Sequence, residues 1–365
     1  MTAVPKLSRP TTDLARLIAM LMVCAIHATA VAMHHLAAGP VEAEDAIAVV
    51  LNEVGRFCVP LFVVLSGYGL AASHLARTPK PGWEWSFAQG RLLAIVLPYV
   101  VWSVAIDLIL GRREPAVIAW HLITGGADYH LYFVPILLQC YLAFPLLVRG
   151  LNGYLVAALM LVQIAFAAPA HHAWPWVGLT CHKLASNAAP LWLGWFAVGM
   201  WLAGLAKASG PAEPRPGSAV PWTADLQVRL LSFSSVILAA AIVTTEFLWH
   251  MQAPGQDPGW YDHFNRWTVL LYTSAVLWAL WTWNGTIAAW AAPESRAKAI
   301  ALLGLLSFPV YLGHTLLLRS LNQTVLSNHP LLLTLVLVLV ATGVAWVVHR
   351  AVRPSWLRVA IGLGH

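Results

Sequence analysis

Two ionisable residues in the first apolar segment of the chain stand at a spacing that suits chemistry. Arg16 and His27 are eleven positions apart, which on an α-helix amounts to three turns plus about 20°. They therefore share one helix face, at roughly 16 Å from each other along the helix axis. An arginine at one end and an imidazole, which exchanges protons near neutral pH, at the other would suit a long anionic ligand.

A coenzyme A thioester is a ligand of this shape, with phosphates for Arg16 and a reactive carbonyl for His27. Each residue also has a simpler interpretation. Arg16 could be a positive anchor whose charged end reaches the membrane surface. His27 could be a buried histidine that bonds a neighbouring helix. The two residues in register are more informative than either alone, and both interpretations stay open at this point.

The composition indicates which elements must position this pair. Of the 365 residues only 10% are charged and 59% are hydrophobic, and there are 19 tryptophans. A soluble domain has about 25% charged residues, and tryptophan is enriched at membrane interfaces. These values predict an all-α, polytopic membrane helix bundle, and they exclude a disordered chain, a coiled coil and a nucleic-acid-binding protein. The net charge of +6 is typical of cytoplasmic loops rather than of a basic binding face.

We predict about ten transmembrane helices, since crossing a bilayer takes roughly 20 mostly apolar residues. The start of the long apolar run at 46–75 is expected to be a loop or an interfacial turn. Residues 1–365 are expected to form a single membrane domain with short cytoplasmic tails at 1–12 and 351–365 and no appended soluble domain. The predicted spans are about 13–36, 54–75, 89–110, 130–149, 153–170, 187–206, 227–249, 266–291, 299–320 and 331–350.

The distribution of positive residues predicts that both termini are cytoplasmic, because lysine and arginine favour cytoplasmic loops. In this orientation most of the 21 lysines and arginines lie inside. The others are expected outside: Arg56, Arg112, Arg113, Lys183, Arg266 and Arg319. The cysteines have no metal-ligand spacing; Cys24, Cys58 and Cys140 fall in apolar segments and Cys181 in a loop, so we interpret them as small packing residues.

Five segments, taken in order, resemble the acyltransferase-3 family of integral membrane acyltransferases. Each motif is short, but together they run from the first predicted span to the ninth. They are Arg16 with ten residues before His27; the apolar run Val59–Tyr68 ending in Ser-Gly-Tyr; Phe87–Arg91 followed by Pro98-Tyr99; His130-Leu131-Tyr132-Phe133; and Ser307–His314, which contains Tyr311-Leu312.

Three features depart from the family pattern. Tyr132 replaces a tryptophan, and Ala94 occupies the place of a second arginine that often follows the one matched by Arg91. The phosphates of the donor would then depend on Arg16 and another cation. Family members often carry an appended esterase-like domain. Here such an activity would come from a separate periplasmic acyl-handling or polysaccharide-export protein.

The resemblance implies transfer of an acyl group, commonly acetyl, from cytoplasmic acyl-CoA to a hydroxyl of a surface polysaccharide or its lipid-linked precursor, at a bacterial inner membrane. His27 would be the general base, or a nucleophile that forms a transient acyl-histidine. No metal is expected. The donor would be bound by Arg16, Arg91, Ser66, Gly67 and Tyr68. The acceptor, or His27 itself, would be contacted by His130, Tyr132, Tyr311 and His314.

Packing and anchoring roles remain alternatives for most of these residues. Small-residue helix packing explains Ser66 and Gly67 equally well. An aromatic interfacial belt explains Tyr132. The adjacent pairs His34-His35 and His171-His172 would be poor chelators, since neighbouring helical residues point about 100° apart. We expect interfacial anchoring for Trp83, Trp85, Trp174 and Trp176. Asp107 and Glu246 could be acceptor contacts, or charges that reach the membrane surface at a helix end.

Two other classes of protein remain as alternatives to an enzyme. A secondary transporter would show inverted repeats and broken helices near the middle of the membrane, and the sequence shows no convincing repeat. A non-enzymatic membrane subunit of an envelope polysaccharide assembly would not need His27.

Overall fold

The computed structural model describes residues 6–38, 42–77, 82–172, 187–208, 222–252 and 264–363. Within these ranges the chain is helical, and no β-strand occurs among them. The prediction of an all-α fold is thus confirmed. The predictions for Cys181, Lys183, Trp174 and Trp176 concern residues outside the described ranges.

The described residues form fourteen α-helices, which are numbered here in chain order. Short 3₁₀ turns at Gly55–Phe57, Ala189–Leu191 and Val325–Asn328 join some of them. The helices are α1 Arg9–Ala28, α2 Ala30–Ala38, α3 Ala43–Val54, α4 Cys58–Leu75, α5 Trp83–Ile109, α6 Pro115–Thr124, α7 Phe133–Gly150, α8 Gly153–His172, α9 Leu193–Ala208, α10 Trp222–Met251, α11 Trp267–Trp290, α12 Glu294–Leu321, α13 Pro330–Ala351 and α14 Ser355–Ala360.

Six helical segments are long and apolar enough to cross a membrane. They are Arg9–Ala28, Ala43–Leu75, Phe133–Gly150, Asp225–Met251, Glu294–Leu321 and Pro330–Ala351. Shorter apolar helices occur at Leu93–Ile109, Pro115–Thr124, Gly153–Phe166 and Leu193–Ala208. The chain is therefore a multi-pass membrane protein. Each of the ten predicted spans overlaps an α-helix, while the count of ten crossings and the cytoplasmic position of the termini stay predictions.

Helix α1 lies at the centre of the bundle and contacts α3, α4, α11, α12 and α13. One face packs with α12 and α13 in an apolar cluster that includes Met20, Cys24, Val310 and Leu337. The other face joins the main core, to which α1 contributes Val23 and Ile26. Residues of α1 are therefore held by several helices at once.

Helices α4 and α9 cross with their backbones in contact. A Cβ atom added to Gly199 would lie 2.0 Å from the carbonyl oxygen of Val64. One added to Gly67 would lie 2.2 Å from the carbonyl oxygen of Phe196. Glycine at both positions lets two apolar helices approach closely, so this contact fixes the spacing of α4 and α9.

Two asparagines from other helices bond the two ends of α1. At its start, the Asn284 side-chain oxygen accepts from the Ser8 backbone N–H at 2.9 Å and from the Thr11 hydroxyl at 2.8 Å, while its amide donates to the Lys6 carbonyl at 3.0 Å. At its end the Asn52 amide donates to the Ile26 carbonyl at 2.8 Å. Both ends are therefore bonded to neighbouring helices.

The first predicted span, 13–36, is interrupted. The α1 helix ends at Ala28 and α2 begins at Ala30, with a turn at Thr29 between them. The expectation of a loop at the start of the 46–75 run is wrong. That region is helix α3, and the 3₁₀ turn at Gly55–Phe57 connects it to α4. This turn passes close to α1, because a Cβ on Gly55 would lie 2.9 Å from Cγ1 of Ile26.

Candidate active site

Three histidines from three parts of the chain meet beside the end of α1. His27 is in the last turn of α1, His314 in α12, and His130 in the loop before α7. The rings of His27 and His314 stack with centroids 5.3 Å apart. His130 lies 4.9 Å from His314 and 6.4 Å from His27. We call these three residues the histidine cluster.

The backbone of α12 fixes the orientation of His314. Its Nδ1 is 2.8 Å from the Tyr311 carbonyl oxygen and 3.2 Å from that of Val310. A carbonyl oxygen only accepts, so Nδ1 carries the proton and Nε2 is left as a lone pair. No described residue bonds that Nε2. This imidazole therefore presents a proton acceptor towards the cluster.

Tyr311, in the same motif as His314, supports His130. The Tyr311 hydroxyl donates to the backbone carbonyl of His130, and the two rings are 5.2 Å apart. Neither ring nitrogen of His130 has a hydrogen-bond partner among the described residues, although only 2% of the residue is exposed. A buried imidazole without a partner is unusual in a folded protein. A buried imidazole of this kind is typical of a site that binds a polar ligand.

A cavity of about 940 Å³ opens beside the cluster. We call it the central cavity. His27, His130, Tyr132 and Tyr311 contribute to its wall, so four of the residues expected to contact the acceptor or the reacting groups share one space. A cavity of this size accommodates a small ligand or part of a larger one. The contribution of His314 is indirect, through its ring contacts with His27 and His130.

Tyr129 lies directly against His27, with ring centroids 4.7 Å apart in an edge-on arrangement. Arg319 of α12 bonds the Asp128 carboxylate at 2.7 Å and lies 6.0 Å from the Tyr129 ring. Burial raises the pKa of the Tyr129 phenol, and the neighbouring Asp128 carboxylate raises it further. The phenol is therefore neutral at physiological pH, and the ion pair beside it helps to keep the ring on His27.

A buried network of charged residues lies near the end of α1 that carries His27. Glu53 pairs with both Arg56 and Arg266, and Arg266 also lies 3.3 Å from Glu246. All of Glu53, Arg56 and Arg266 are at most 2% exposed. Two carboxylates balance two guanidiniums, as buried charges require. Arg56 also lines the central cavity.

Asn52 connects this network to α1. Its amide donates to the Ile26 carbonyl at 2.8 Å and to the Thr29 hydroxyl at 3.0 Å, while its oxygen accepts from Arg56. The Ile26 carbonyl is one that the helix leaves unpaired because α1 ends two residues later. Asn52 thus bonds the residue next to His27 in the chain and holds that end of the helix.

The residues expected to bind the donor lie elsewhere. None of Arg16, Arg91, Ser66, Gly67 and Tyr68 is among the described residues that line the central cavity. Arg16 and His27 lie on one uninterrupted helix, so their separation along its axis is roughly 16 Å. The structure therefore brings the acceptor set together with His27, while Arg16 lies about three helical turns away and the other donor residues lie outside the lining of the cavity.

The donor set itself is only partly gathered. The Arg16 guanidinium is 3.2 Å from Asp13 and packs on α4, 3.7 Å from where a Cβ of Gly69 would be. The partly buried Tyr141 lies near Ser66 and within electrostatic range of both Arg16 and Arg91. Arg16, Arg91 and Ser66 therefore belong to one end of the bundle.

Two of the predicted donor residues have other partners here. Gly67 lies against the backbone of Phe196, which is the helix-packing role left open from the sequence. The Tyr68 hydroxyl accepts from the Leu7 backbone N–H at 2.8 Å, and its ring meets Trp281 edge-on. Their part in donor binding stays a prediction.

Several buried charges lie where the sequence suggested an outer loop or a helix end. Asp107 lies near the end of α5, where it is fully buried and bonds His121 and Arg112. Glu246 bonds Thr268 and Arg266. Arg56 and Arg266 are also buried, while their position on the outer side of the membrane stays a prediction. The signal that could have revealed them is a charged residue within an apolar run, which marks a functional or paired group by default.

Within the described residues, no group of three His, Cys, Asp or Glu side chains is arranged to hold a metal ion. His35 bonds Asp45 at 2.9 Å.

The predicted start of the fourth span also shifts slightly, since α7 begins at Phe133 and His130 and Tyr132 precede it.

A family model described as an acyltransferase domain matches residues 10–350 of this chain. The matched range includes the whole histidine cluster and all but the first residue of α1. No curated protein was found to match the chain, and no solved structure was found to match it.

Proposed function

Because this chain belongs to the acyltransferase-3 family it is an acyltransferase, and we propose that it transfers an acetyl group from coenzyme A to a hydroxyl of a glycan. Membership in an enzyme family argues against a transporter and against a non-enzymatic subunit. The observation that carries the proposal is the meeting of His27, His130 and His314 beside a cavity of about 940 Å³. Unpaired imidazole nitrogens in a cavity suit proton transfer to and from a bound hydroxyl.

In the proposed reaction His27 is the general base. One nitrogen of its neutral imidazole takes the proton of the acceptor hydroxyl. The oxygen attacks the thioester carbonyl carbon, so that a carbon–oxygen bond forms and the carbon–sulfur bond breaks. The coenzyme A thiolate leaves and takes the proton from the His27 imidazolium. No metal is needed in this sequence of steps.

The donor is proposed to lie along α1. Arg16, together with Arg91, would bind its phosphates by charge-assisted hydrogen bonds, with Ser66, Gly67 and Tyr68 near its arm. The roughly 16 Å between Arg16 and His27 supports an extended ligand rather than a compact one. Arg91 is exposed, and no described residue pairs with it at hydrogen-bond distance, which leaves its guanidinium available for a phosphate.

The acceptor is proposed to enter the central cavity from the outer side of a bacterial inner membrane. In this arrangement both termini are cytoplasmic, ten helices cross the bilayer, and coenzyme A reaches Arg16 from the cytoplasm, where it is made. The acceptor is a surface or exported polysaccharide, or its lipid-linked precursor. A separate periplasmic or export protein would handle the modified chain.

The proposal is tested by measuring base-labile O-acetyl groups on envelope and secreted polysaccharide by NMR. Cells lacking this protein are complemented with the native chain, His27→Ala or His349→Ala. His349 is a matched control, since it lies in α13, contacts Arg358 at 3.1 Å and does not line the central cavity. Western blotting of membranes checks that all three chains are inserted.

We expect ester signals with the native chain and with His349→Ala, and none with His27→Ala. Equal signals with His27→Ala would show that this residue is not the base. If the deletion removes no ester from any polysaccharide, the glycan acceptor is wrong.

A further inference from the structure

A third histidine, outside the histidine cluster, lines the central cavity beside His27 and His130. His121, in α6, directs Nδ1 at the carboxylate of Asp107 in α5, at 2.9 Å and 3.0 Å from its two oxygens. Asp107 is fully buried. The carboxylate accepts, so Nδ1 donates; in the neutral imidazole Nε2 is then a lone pair. No described residue hydrogen-bonds that Nε2, and His121 is part of the cavity wall.

The ring is held firmly in this orientation. The Tyr99 hydroxyl donates to the Leu122 carbonyl at 2.9 Å and reaches that of His121 at 3.2 Å, which fixes the backbone of α6. Gly126 lies against the imidazole, since a Cβ there would be 2.9 Å from its Cδ2. An imidazole oriented by a buried carboxylate and facing a cavity is the arrangement of a functional histidine.

Two other histidine–carboxylate pairs in the described residues lack these properties. His35 bonds Asp45 at 2.9 Å and His329 bonds Glu44 at 3.1 Å. Both histidine side chains are more than half exposed, whereas that of His121 is 17% exposed. Neither lines the central cavity. Pairing of surface charges therefore explains those two pairs. It does not explain why His121 is mostly buried and lines the cavity.

The charges on this wall cancel. Asp107 is bonded by Arg112 at 3.1 Å, and Arg112 also donates to the Ala127 carbonyl at 3.0 Å. Asp128 is paired with Arg319. The wall thus offers a hydrogen-bond acceptor in His121, flanked by Trp120 and Thr124 of the same helix, rather than a net charge. Aromatic rings beside polar groups suit ligands with both apolar and hydroxylated faces.

We propose that His121, held by Asp107, binds a second hydroxyl of the acceptor while His27 acts on the first, so that the enzyme selects polyhydroxy acceptors such as sugar rings over molecules with one hydroxyl. The inference rests on the proposed function and specifies its acceptor. In this role His121 accepts a hydrogen bond through Nε2, and Asp107 is a positioning residue. No proton is transferred and no covalent bond forms at this wall.

The test uses the full-length chain in lipid nanodiscs with radiolabelled acetyl-CoA and, as acceptor, the water-soluble glycan fraction of cells that lack the protein. The variants are His121→Gln, Asp107→Asn and His35→Gln, the last removing a surface histidine with the same kind of partner. Initial rates over a range of glycan concentrations give KM and kcat. Stabilisation by coenzyme A in a thermal-unfolding assay reports the donor side and the fold.

We expect His121→Gln to raise the KM for glycan at least tenfold, Asp107→Asn to raise it by less, and His35→Gln to leave it unchanged. Stabilisation by coenzyme A should be the same in all four proteins. An unchanged KM in His121→Gln would overturn the proposal. A loss of coenzyme A stabilisation along with activity would also overturn it, because the residue would then support the fold as a whole.

A second measurement separates this proposal from the proposed function. If the native chain transfers no acetyl group to glycan, the proposed function has failed. Retention of tritium-labelled glycan by the immobilised native chain and by His121→Gln then decides the subsite. Weaker retention by the variant supports it, and equal retention or no retention by either protein contradicts it.

Discussion

Replacing Asn52 with leucine should reduce the catalytic rate without touching His27. Leucine has the same number and branching of side-chain heavy atoms but cannot bond the carbonyl at the end of α1. The amide of Asn52 makes two bonds there, to Ile26 at 2.8 Å and to Thr29 at 3.0 Å, and its oxygen accepts from Arg56. Without them the last turn of α1, which carries His27, is free to shift.

The expected loss of stability follows from these three bonds. A neutral hydrogen bond contributes about 1 kcal/mol and one from a charged donor roughly 1.5–3 kcal/mol. Their sum, about 4 kcal/mol, is an upper value, since hydrogen bonds within membrane proteins average about 0.6 kcal/mol. A displacement of a catalytic group by roughly 1 Å can lower the rate about a hundredfold, and we expect kcat to fall by that order.

The matched control is Asn284→Leu. Asn284 makes three neutral hydrogen bonds at the opposite end of α1, so its loss should cost about 3 kcal/mol at a site more than about four helical turns from His27. Both variants should unfold at a lower SDS fraction than the native chain. Acetyl transfer to the glycan fraction, measured on the folded protein in nanodiscs, should fall only in Asn52→Leu.

Equal kcat values for Asn52→Leu and Asn284→Leu would refute this reasoning. Asn52 would then be a structural residue of the buried network, and the position of His27 would depend on its ring contacts alone.

Three further outcomes are expected. Gly199→Ala places a methyl 2.0 Å from a backbone oxygen of α4 and should cost 3 kcal/mol or more, roughly the upper end for overpacking, whereas Gly204→Ala, with no atom within 4 Å, should retain native stability in the same SDS titration. Glu53→Gln leaves two buried guanidiniums with one carboxylate fewer and should lower stability by about 3–5 kcal/mol. The surface variant Glu84→Gln should lose about 1 kcal/mol or less, and comparable losses for the two would contradict the assignment of a buried network. Arg319→Gln removes a partly exposed ion pair and the cation beside Tyr129, so kcat should fall severalfold with a stability loss near 1 kcal/mol; a native kcat would show that the ring needs no such support.

The helical fold could be predicted because apolar runs of about 20 residues are a strong signal in a chain with so few charges. The Arg16–His27 spacing was likewise readable, since both residues lie on one helix that continues to Ala28. The family resemblance, which depends on the order of the motifs, predicted that His130, Tyr311 and His314 contact the acceptor or His27. The structure adds the distances that bring these side chains to one cavity.

The break at Thr29 was not readable from local sequence. Neither glycine nor proline occurs near it, and the bonds that satisfy the end of α1 come from Asn52, more than twenty residues later. The same holds for the buried ion pairs, because Glu53 and Arg266 are 213 residues apart in the chain. Positive residues were assigned to loops by a statistical rule that does not distinguish an anchor from a paired, buried guanidinium.

His121 was missed for a related reason. Its partner Asp107 is 14 residues away in a different helix, across the connection between α5 and α6, so the periodicity of a single helix does not relate the two residues. Only the packing of the two helices reveals that the carboxylate is buried and that the imidazole faces the cavity. An acidic residue at the end of an apolar run looks the same whether it meets water or a histidine.

The asparagines at the two ends of α1 have a mechanical consequence. A helix bonded at one end can slide along its axis or turn about it as its neighbours rearrange. With Asn284 bonded to its first turn and Asn52 to its last, α1 is clamped against both movements. The distance between Arg16 and His27 is set by the helix, and these bonds hold both residues in place relative to the neighbouring helices. A ligand that contacts both Arg16 and His27 must match this distance, because α1 changes neither its length nor its position.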